Sequence, residues 1–231
     1  CELLSKGTKT QQGRGDLLAV DIGGATTDVY SMASGEPTVD NTMLKGLPEP
    51  WMKRTVEGDL GMRYSLVHVF EQIPGANQLE NEFMQQVKAW VELCTARPDT
   101  LAAPGSEEEK LEEFLGRSAV SMAVERHCGR IVDVFTPLGL MHTQEGKDLM
   151  NVPSVIGIGG VLRNSRRPEE ILKGSLYDFM HPECTKPRKP KFYLDQKYIF
   201  ASMGLLRSIN PELAFELLDK ETVEIGCNAT V

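Results

Sequence analysis

The run from Leu17 to Ser31, LLAVDIGGATTDVYS, constrains the fold more than any other part of the chain. An apolar stretch ends at Asp21. Two glycines follow, then a hydroxyl-rich turn, then Asp28 and a second β-prone stretch. The pattern predicts two antiparallel strands joined by a glycine-rich hairpin with a carboxylate at each end. A Gly-Gly between strands is by itself an ordinary turn, and an aspartate beside it an ordinary turn residue. The full D-x-G-G-x-T-T-D pattern between two apolar runs points further, to a nucleoside triphosphate. Gly23 and Gly24 have no side chain to keep backbone N–H groups away from phosphate. Thr26 and Thr27 can add hydroxyl donors. Asp21 and Asp28 can hold a hydrated Mg²⁺, which takes one or two carboxylates and keeps several of its waters.

Composition narrows the partners. The 231 residues suit one large domain or two small ones. Hydrophobic residues make up 41% of the chain, but no apolar run approaches the roughly 20 residues that span a bilayer, so no membrane segment is expected. Nothing at the start reads as a signal peptide. A net charge of −8 argues against a nucleic-acid partner, which asks for a basic surface. The one basic cluster, Lys186 to Lys191, is broken by Pro187 and Pro190 and reads as a solvated linker. The five cysteines are odd in number, widely spaced and free of CxxC pairs, so neither a zinc site nor a disulfide framework is indicated. A reducing cytoplasm fits them. The first residue is Cys1 rather than Met, so a fragment or a processed chain is expected.

Residues 1–15 are polar and read as a loose lead-in, with one domain over 16–231. Residues 36–47 are expected to add an edge strand. Lys53–Ser65 reads as a loop feeding a helix through Leu66, Val67, Val69 and Phe70, which Pro74-Gly75 ends. Leu79–Thr95 reads as an amphipathic helix with Phe83, Val87, Trp90 or Val91, and Cys94 on its buried stripe. Ser106 and Glu109 form a capping box for a long helix to about Gly129, with Gly116 as a point where it could break. Strands are expected over 131–135, 138–142, 152–158 and 191–194, with Gly146 turning the chain after the second. Pro168 opens a short helix, 198–209 is helical, and Asn210 with Pro211 starts a last helix.

Two charged segments admit two readings each. Glu57, Gly58 and Asp59 can lie near the phosphates, or can be acidic residues complementing a helix N-terminus. In Glu125–Arg130, Arg126 can approach a nucleotide base and Cys128 a metal, or the whole can be a charged helix end favoured by dipole and capping. The apolar run Val152–Ile158, leading into Gly159 and Gly160, is a third candidate. Glycine after a buried strand often does no more than permit a tight turn.

The hairpin resembles the second phosphate loop of the superfamily that contains actin, sugar kinases and the heat-shock-chaperone ATPases. In that superfamily an apolar strand far downstream ends in a glycine pair that packs under the adenosine, and Gly159-Gly160 stands in that order here. The resemblance implies an α/β fold of the ribonuclease-H-like kind, a mixed central sheet flanked by helices, binding ATP or ADP with Mg²⁺. The superfamily also has a first phosphate loop in an N-terminal lobe, and nothing before Leu17 resembles it. The chain is therefore expected to be the second nucleotide-binding lobe, with the N-terminal lobe as its partner and little ATPase activity alone, because phosphoryl transfer depends on positioning from all sides.

A closer resemblance covers most of the chain. GDLLAVDIGGATTDVYS, KRTVEGDLGMRYS, ERHCGRI, GKDL, VIGIGGVLRN and DQKYIFASMGLL look like the C-terminal part of the glutamate mutase accessory family, MutL or GlmL, unrelated to the mismatch-repair protein of similar name. The resemblance implies an ATP-dependent reactivator or chaperone of an adenosylcobalamin-dependent mutase. Radical side reactions leave damaged cobalamin locked in such a mutase, and a clamp that binds it differently in its ATP and ADP states could release the dead cofactor. By the family's pattern Asp21 and Asp28 are the catalytic pair that organises Mg²⁺ and water. Gly23, Gly24, Thr26 and Thr27 hold the terminal phosphates, with Glu57 and Gly58 nearby, and Gly159 and Gly160 pack against the adenosine.

Three other functions share features with this sequence. An ATP-driven electron activator of dehydratases has the same superfamily fold, but its cluster-binding cysteine sits in a segment whose counterpart here, Thr55–Ser65, contains none. A hydrolase lobe of the hydantoinase or oxoprolinase kind shares the hairpin. A non-catalytic interaction module with a degenerate nucleotide site is the third.

Overall fold

The computed structural model describes residues 1–76, 82–137 and 139–226. The chain opens with α1 (Glu2–Lys6), β1 (Leu17–Ile22), β2 (Thr27–Met32), β3 (Thr42–Lys45) and β4 (Met52–Glu57). Three helices follow, α2 (Leu66–Glu71), α3 (Glu82–Ala96) and α4 (Glu107–His127), then β5 (Arg130–Thr136), β6 (Gly139–Glu145) and β7 (Ser154–Ile158). The last third carries α5 (Gly160–Asn164), α6 (Pro168–Leu172), β8 (Lys191–Asp195), α7 (Phe200–Leu206), α8 (Pro211–Glu221) and β9 (Thr222–Ile225).

The central sheet has the order β4-β2-β1-β7-β8-β9, and a separate sheet the order β3-β6-β5. β1 pairs antiparallel with β2 and parallel with β7, and β7 continues parallel to β8. The flanking pairs β2–β4 and β8–β9 are antiparallel. The architecture is mixed α/β, with helices on both sides of a mixed sheet. β1 and β7 are apolar almost throughout because both of their faces are covered. On one face Leu18, Val20, Val29 and Val155 share a core with Val87 of α3 and Leu115 and Val120 of α4. On the other, Leu17, Ala19 and Ile156 share a core with Leu3, Leu4, Phe215 and Leu218 of α1 and α8.

Helix starts follow the capping residues. Ser106 Oγ accepts from Glu109 N at 3.3 Å, and Asn210 Oδ1 accepts from Leu213 N at 3.1 Å with Pro211 in the first turn. The reciprocal half of the capping box is redirected: the Glu109 carboxylate accepts from Gly105 N at 2.6 Å and Arg166 N at 3.1 Å.

Several expectations change. Residues 1–15 are not a loose lead-in: α1 buries Leu3, Leu4 and Ser5, and Arg14 donates to Asp219 and Thr222 at the end of α8. Met52–Glu57 is an edge strand of the central sheet, not a loop, whereas Thr42–Lys45 lies in the second sheet. Helix α4 runs through Gly116 unbroken, and a Cβ there would stand 3.3 Å from Ile171, so the glycine lets α6 approach. In α3, Met84 is buried and Phe83 is partly exposed, a shift of one position along the stripe. The part of that helix placed over residues 79–81 lies outside the described residues, as does Leu138. Lys186 is buried rather than solvated, because residues 184–188 are stitched to Gly129, Leu149 and Met150 by backbone hydrogen bonds.

Candidate functional site

The register of the ribbon places Asp21 opposite Asp28 and Ile22 opposite Thr27, leaving Gly23 to Thr26 as the hairpin. Gly23 N donates to Thr26 O at 2.9 Å and closes it. The following segment wraps it from outside: Met62 N donates to Gly23 O, and Arg63 N and Tyr64 N both donate to Gly24 O at 2.8–2.9 Å. A Cβ on Gly61 would lie 2.2 Å from the Ala25 backbone, so this packing requires glycine. The loop carbonyls of Gly23 and Gly24 are thereby used up. The N–H groups of Gly24, Ala25 and Thr26 find no acceptor among the described residues. A row of open N–H groups in a tight turn is a concavity built for an anion.

The second glycine corner meets the first. β7 lies beside β1 with Asp21 next to Ile158, so Gly159 falls beside the end of β1. Its φ is +109°, and a Cβ would stand 2.3 Å from Ile22 O and 3.1 Å from Asp21 Oδ1. Only glycine fits there. Gly23, Gly24, Gly160, Asn164, Ala102 and Arg63 line one cavity of about 720 Å³. Arg63, which the sequence reading did not single out, is held on that lining by Glu112 at 2.6 Å, and Asp99, Glu109 and Glu113 stand on the same lining.

The two acids lie on the far face of the sheet, by the alternation of side chains along β1 and β2. Asp21 is half-buried and reaches the Gly159 corner. Burial raises its pKa above the ordinary carboxylate value, as do Asp28 and Asp195, with Arg54 acting against them. Asp28 is committed: Arg54 Nε and Nη2 donate to its Oδ1 at 3.0 and 2.7 Å, and Thr26 Oγ1 donates to its Oδ2 at 3.1 Å. Arg54 also lies 5.4 Å from the centre of the Tyr30 ring, its cross-strand neighbour. Alternation in the segment R-T-V-E could have revealed Arg54, had that segment been read as a strand. Asp195 caps α7 by accepting from Ile199 N and Phe200 N at 3.1 Å. Tyr198 has a φ of +54°, and its phenol pKa is raised, first by Asp21.

Thr27, Glu57 and Gly58 stand apart from the cavity. The Thr27 hydroxyl is fully buried and donates to Leu60 O at 2.6 Å, so it anchors the wrapping segment instead of facing a ligand. Glu57 accepts from Arg126 Nη1 at 2.8 Å, and Asp59 takes both Arg126 Nη1 and Nη2. That guanidinium holds the Asp59 carboxyl well below the usual range. Gly58 O accepts from Ser65 Oγ at 2.8 Å. Arg126 is thus a latch between α4 and the hairpin's wrapping. Cys128 has Cys184 as its neighbour, which raises its pKa together with burial. No three carboxylate, imidazole or thiol groups among the described residues are grouped to hold a metal ion. The carboxylates suit Mg²⁺ only in the manner that leaves most of its shell to water and phosphate.

A family model described as MutL protein matches residues 1–222. The chain belongs to the MutL protein family. It is 44% identical over 225 residues to Protein MutL of Clostridium tetanomorphum, a match covering 96% of this chain and 48% of that protein. This member of the family therefore spans about half the length of the curated relative it matches. Among its described residues no helix is long and apolar enough to cross a membrane.

Proposed function

We propose that this chain is one nucleotide-binding lobe of a ribonuclease-H-like, actin-type ATPase, and that the whole protein is a cytoplasmic, ATP-dependent reactivating chaperone of an adenosylcobalamin-dependent mutase, glutamate mutase. One observation carries the nucleotide reading: the open N–H groups of Gly24, Ala25 and Thr26 belong to a turn whose Gly23 and Gly24 line a cavity that also takes in Gly160. Membership of the MutL family, with the resemblance of its motifs to the glutamate mutase accessory proteins, supports the mutase partner.

In this reading the three N–H groups donate to oxygens of the terminal phosphates. Gly159 and Gly160 let the ribose and α-phosphate come close to backbone. Asp21, beside Gly159, would hold a hydrated Mg²⁺ through its water. Mg²⁺, when bound, neutralises phosphate charge. Thr26 and Arg54 fix Asp28, which shapes the hairpin and adds negative charge beside Asp21. Groups from the rest of the polypeptide complete the positioning that phosphoryl transfer needs.

The test is calorimetry and thermal melting of the full-length protein with Mg–ATP and Mg–ADP. Ligand at about 100 times its Kd stabilises a folded protein by about 2.7 kcal/mol. Absence of any shift with either nucleotide would overturn the nucleotide reading. Recovery of a cobalamin-inactivated glutamate mutase by full-length protein and ATP tests the partner separately. Nucleotide binding without such recovery would remove the mutase and leave the lobe.

A further inference from the structure

The basic cluster Lys186–Lys191 takes no part in the nucleotide cavity. Its first member, Lys186, is 3% exposed, and its ammonium has Ser121 Oγ as its hydrogen-bond partner, at 3.0 Å. An ammonium carries three donors. The other two find no acceptor among the described residues. Burial lowers the Lys186 pKa, while Cys128, Glu125, Cys184 and Asp178 act the other way. A buried charge without close pairing is costly, and a nearby anion relieves that cost.

Ser121 opens onto a surface hollow of about 480 Å³ between α4 and residues 173–179, within the size range of small-molecule sites. Arg117 on its rim is exposed and has no hydrogen-bond or ion-pair partner among the described residues. Arg188 lies 5.0 Å from the centre of the Tyr177 ring, and Tyr177 meets Phe179 edge to face at 5.4 Å. Phe179 is 87% exposed, so its ring is available beside the hollow. Of the acids nearby, Glu170 pairs with Lys173 at 2.6 Å and Glu125 with Arg130 at 3.1 Å, while Asp178, on the lining, accepts from Met180 N at 2.9 Å through Oδ1. In a chain of net charge −8, this is a place where Arg117 and the exposed Phe179 ring meet around a concavity.

We propose that this hollow binds a small aromatic anion, a planar ring carrying a carboxylate or phosphate. The ring packs on Tyr177 and Phe179, and the anionic group faces Arg117 and Lys186 through the Ser121 side. The site is separate from the nucleotide cavity and does not rest on that reading.

Phenyl phosphate and benzoate are the probes, with phenol as the uncharged control, titrated into the full-length protein by calorimetry and ligand-observed NMR. Saturable binding of one anion, and none of phenol, is expected; which anion wins identifies the acid group. Arg117→Ala should weaken binding about tenfold, the loss of one charge-assisted hydrogen bond. Phe179→Ala should weaken it as well. Both positions are exposed, and an unchanged melting temperature checks that the variants fold. Excess Mg–ATP should leave the affinity unaltered. The proposal is overturned by absence of binding up to about 10 mM, a Kd beyond any useful affinity. Binding that survives both substitutions, or that ATP displaces, overturns it equally.

Discussion

The β1–β2 ribbon holds polar groups at its two ends in opposite conditions. Away from the hairpin, the fully buried Lys147 donates to Ser31 Oγ at 3.1 Å, Pro50 O at 3.0 Å and Trp51 O at 2.6 Å. His127 Nε2 meets Ser31 Oγ at 2.8 Å, and its Nδ1 meets Thr55 Oγ1 at 2.9 Å. A neutral imidazole donates from one ring nitrogen and accepts at the other, so the Ser31 and Thr55 hydroxyls between them satisfy both. Burial, then Lys53 and Lys147, push the His127 pKa down to about 3, so the ring is neutral. At the hairpin end, three N–H groups find no acceptor among the described residues. Buried networks whose donors are met hold a fold together, and donors left open beside a cavity mark a place for a ligand. ERHCGRI and GKDL look as functional in sequence as DIGGATTD, yet His127 and Lys147 belong to the satisfied end.

The largest effect that tests this contrast is Lys147→Ala. It strips Ser31 Oγ, Pro50 O and Trp51 O of a donor and opens a void, and should cost about 3–5 kcal/mol in chemical denaturation. ATP affinity of the protein that remains folded should not change. Lys147→Met, which keeps the volume, should cost less. A Lys147→Ala protein as stable as the parent would break the contrast.

Gly159→Ala comes next. Its φ is strained for any other residue and its Cβ would strike Ile22 O, so about 1–3 kcal/mol of stability should go, together with nucleotide binding. Retained binding in that variant would detach the second glycine corner from the site.

Acid sharpens the contrast further. His127 has a folded pKa below its ordinary value of 6.5, so its contribution is complete above that pH and is lost as pH falls. Between those values the unfolded chain takes a proton that the folded chain refuses, at about 1.4 kcal/mol per pH unit. His127→Gln should flatten the slope of stability between pH 6.5 and 4 relative to the parent. Parallel slopes would mean that the buried ring protonates without cost.

Arg54→Gln should change least. The Arg54 side chain is 58% exposed, so its pairing with Asp28 contributes under about 1 kcal/mol. Released from Arg54, Asp28 becomes free to join Asp21, and Mg²⁺-dependent nucleotide affinity should rise a few-fold by calorimetry. A fall would instead make the guanidinium itself a phosphate contact.

The hairpin, the glycine corner after β7 and both capped helices were legible because each rests on local rules: apolar periodicity, glycine placement and side-chain caps. The convergence of Gly159 on Asp21 was legible only through resemblance to a superfamily, since nothing local ties the two segments. Arg54 and Arg63 were not legible, because their place depends on which strand lies next to β2 and how residues 58–65 fold over the hairpin. Lys186 was misread for a similar reason. Prolines within a basic run describe a linker in isolation, whereas backbone pairing with Gly129 and Met150 draws the start of the run inward.

The middle position of β7 also has a consequence in time. β1 cannot acquire its second neighbour until the chain has been made through β6 and beyond. Pairing across such a separation is slow, and an apolar strand waiting with one side open is a template for wrong partners. A ribosome-bound chain stalled before β7 should therefore aggregate or recruit a holdase, and one released after β8 should not.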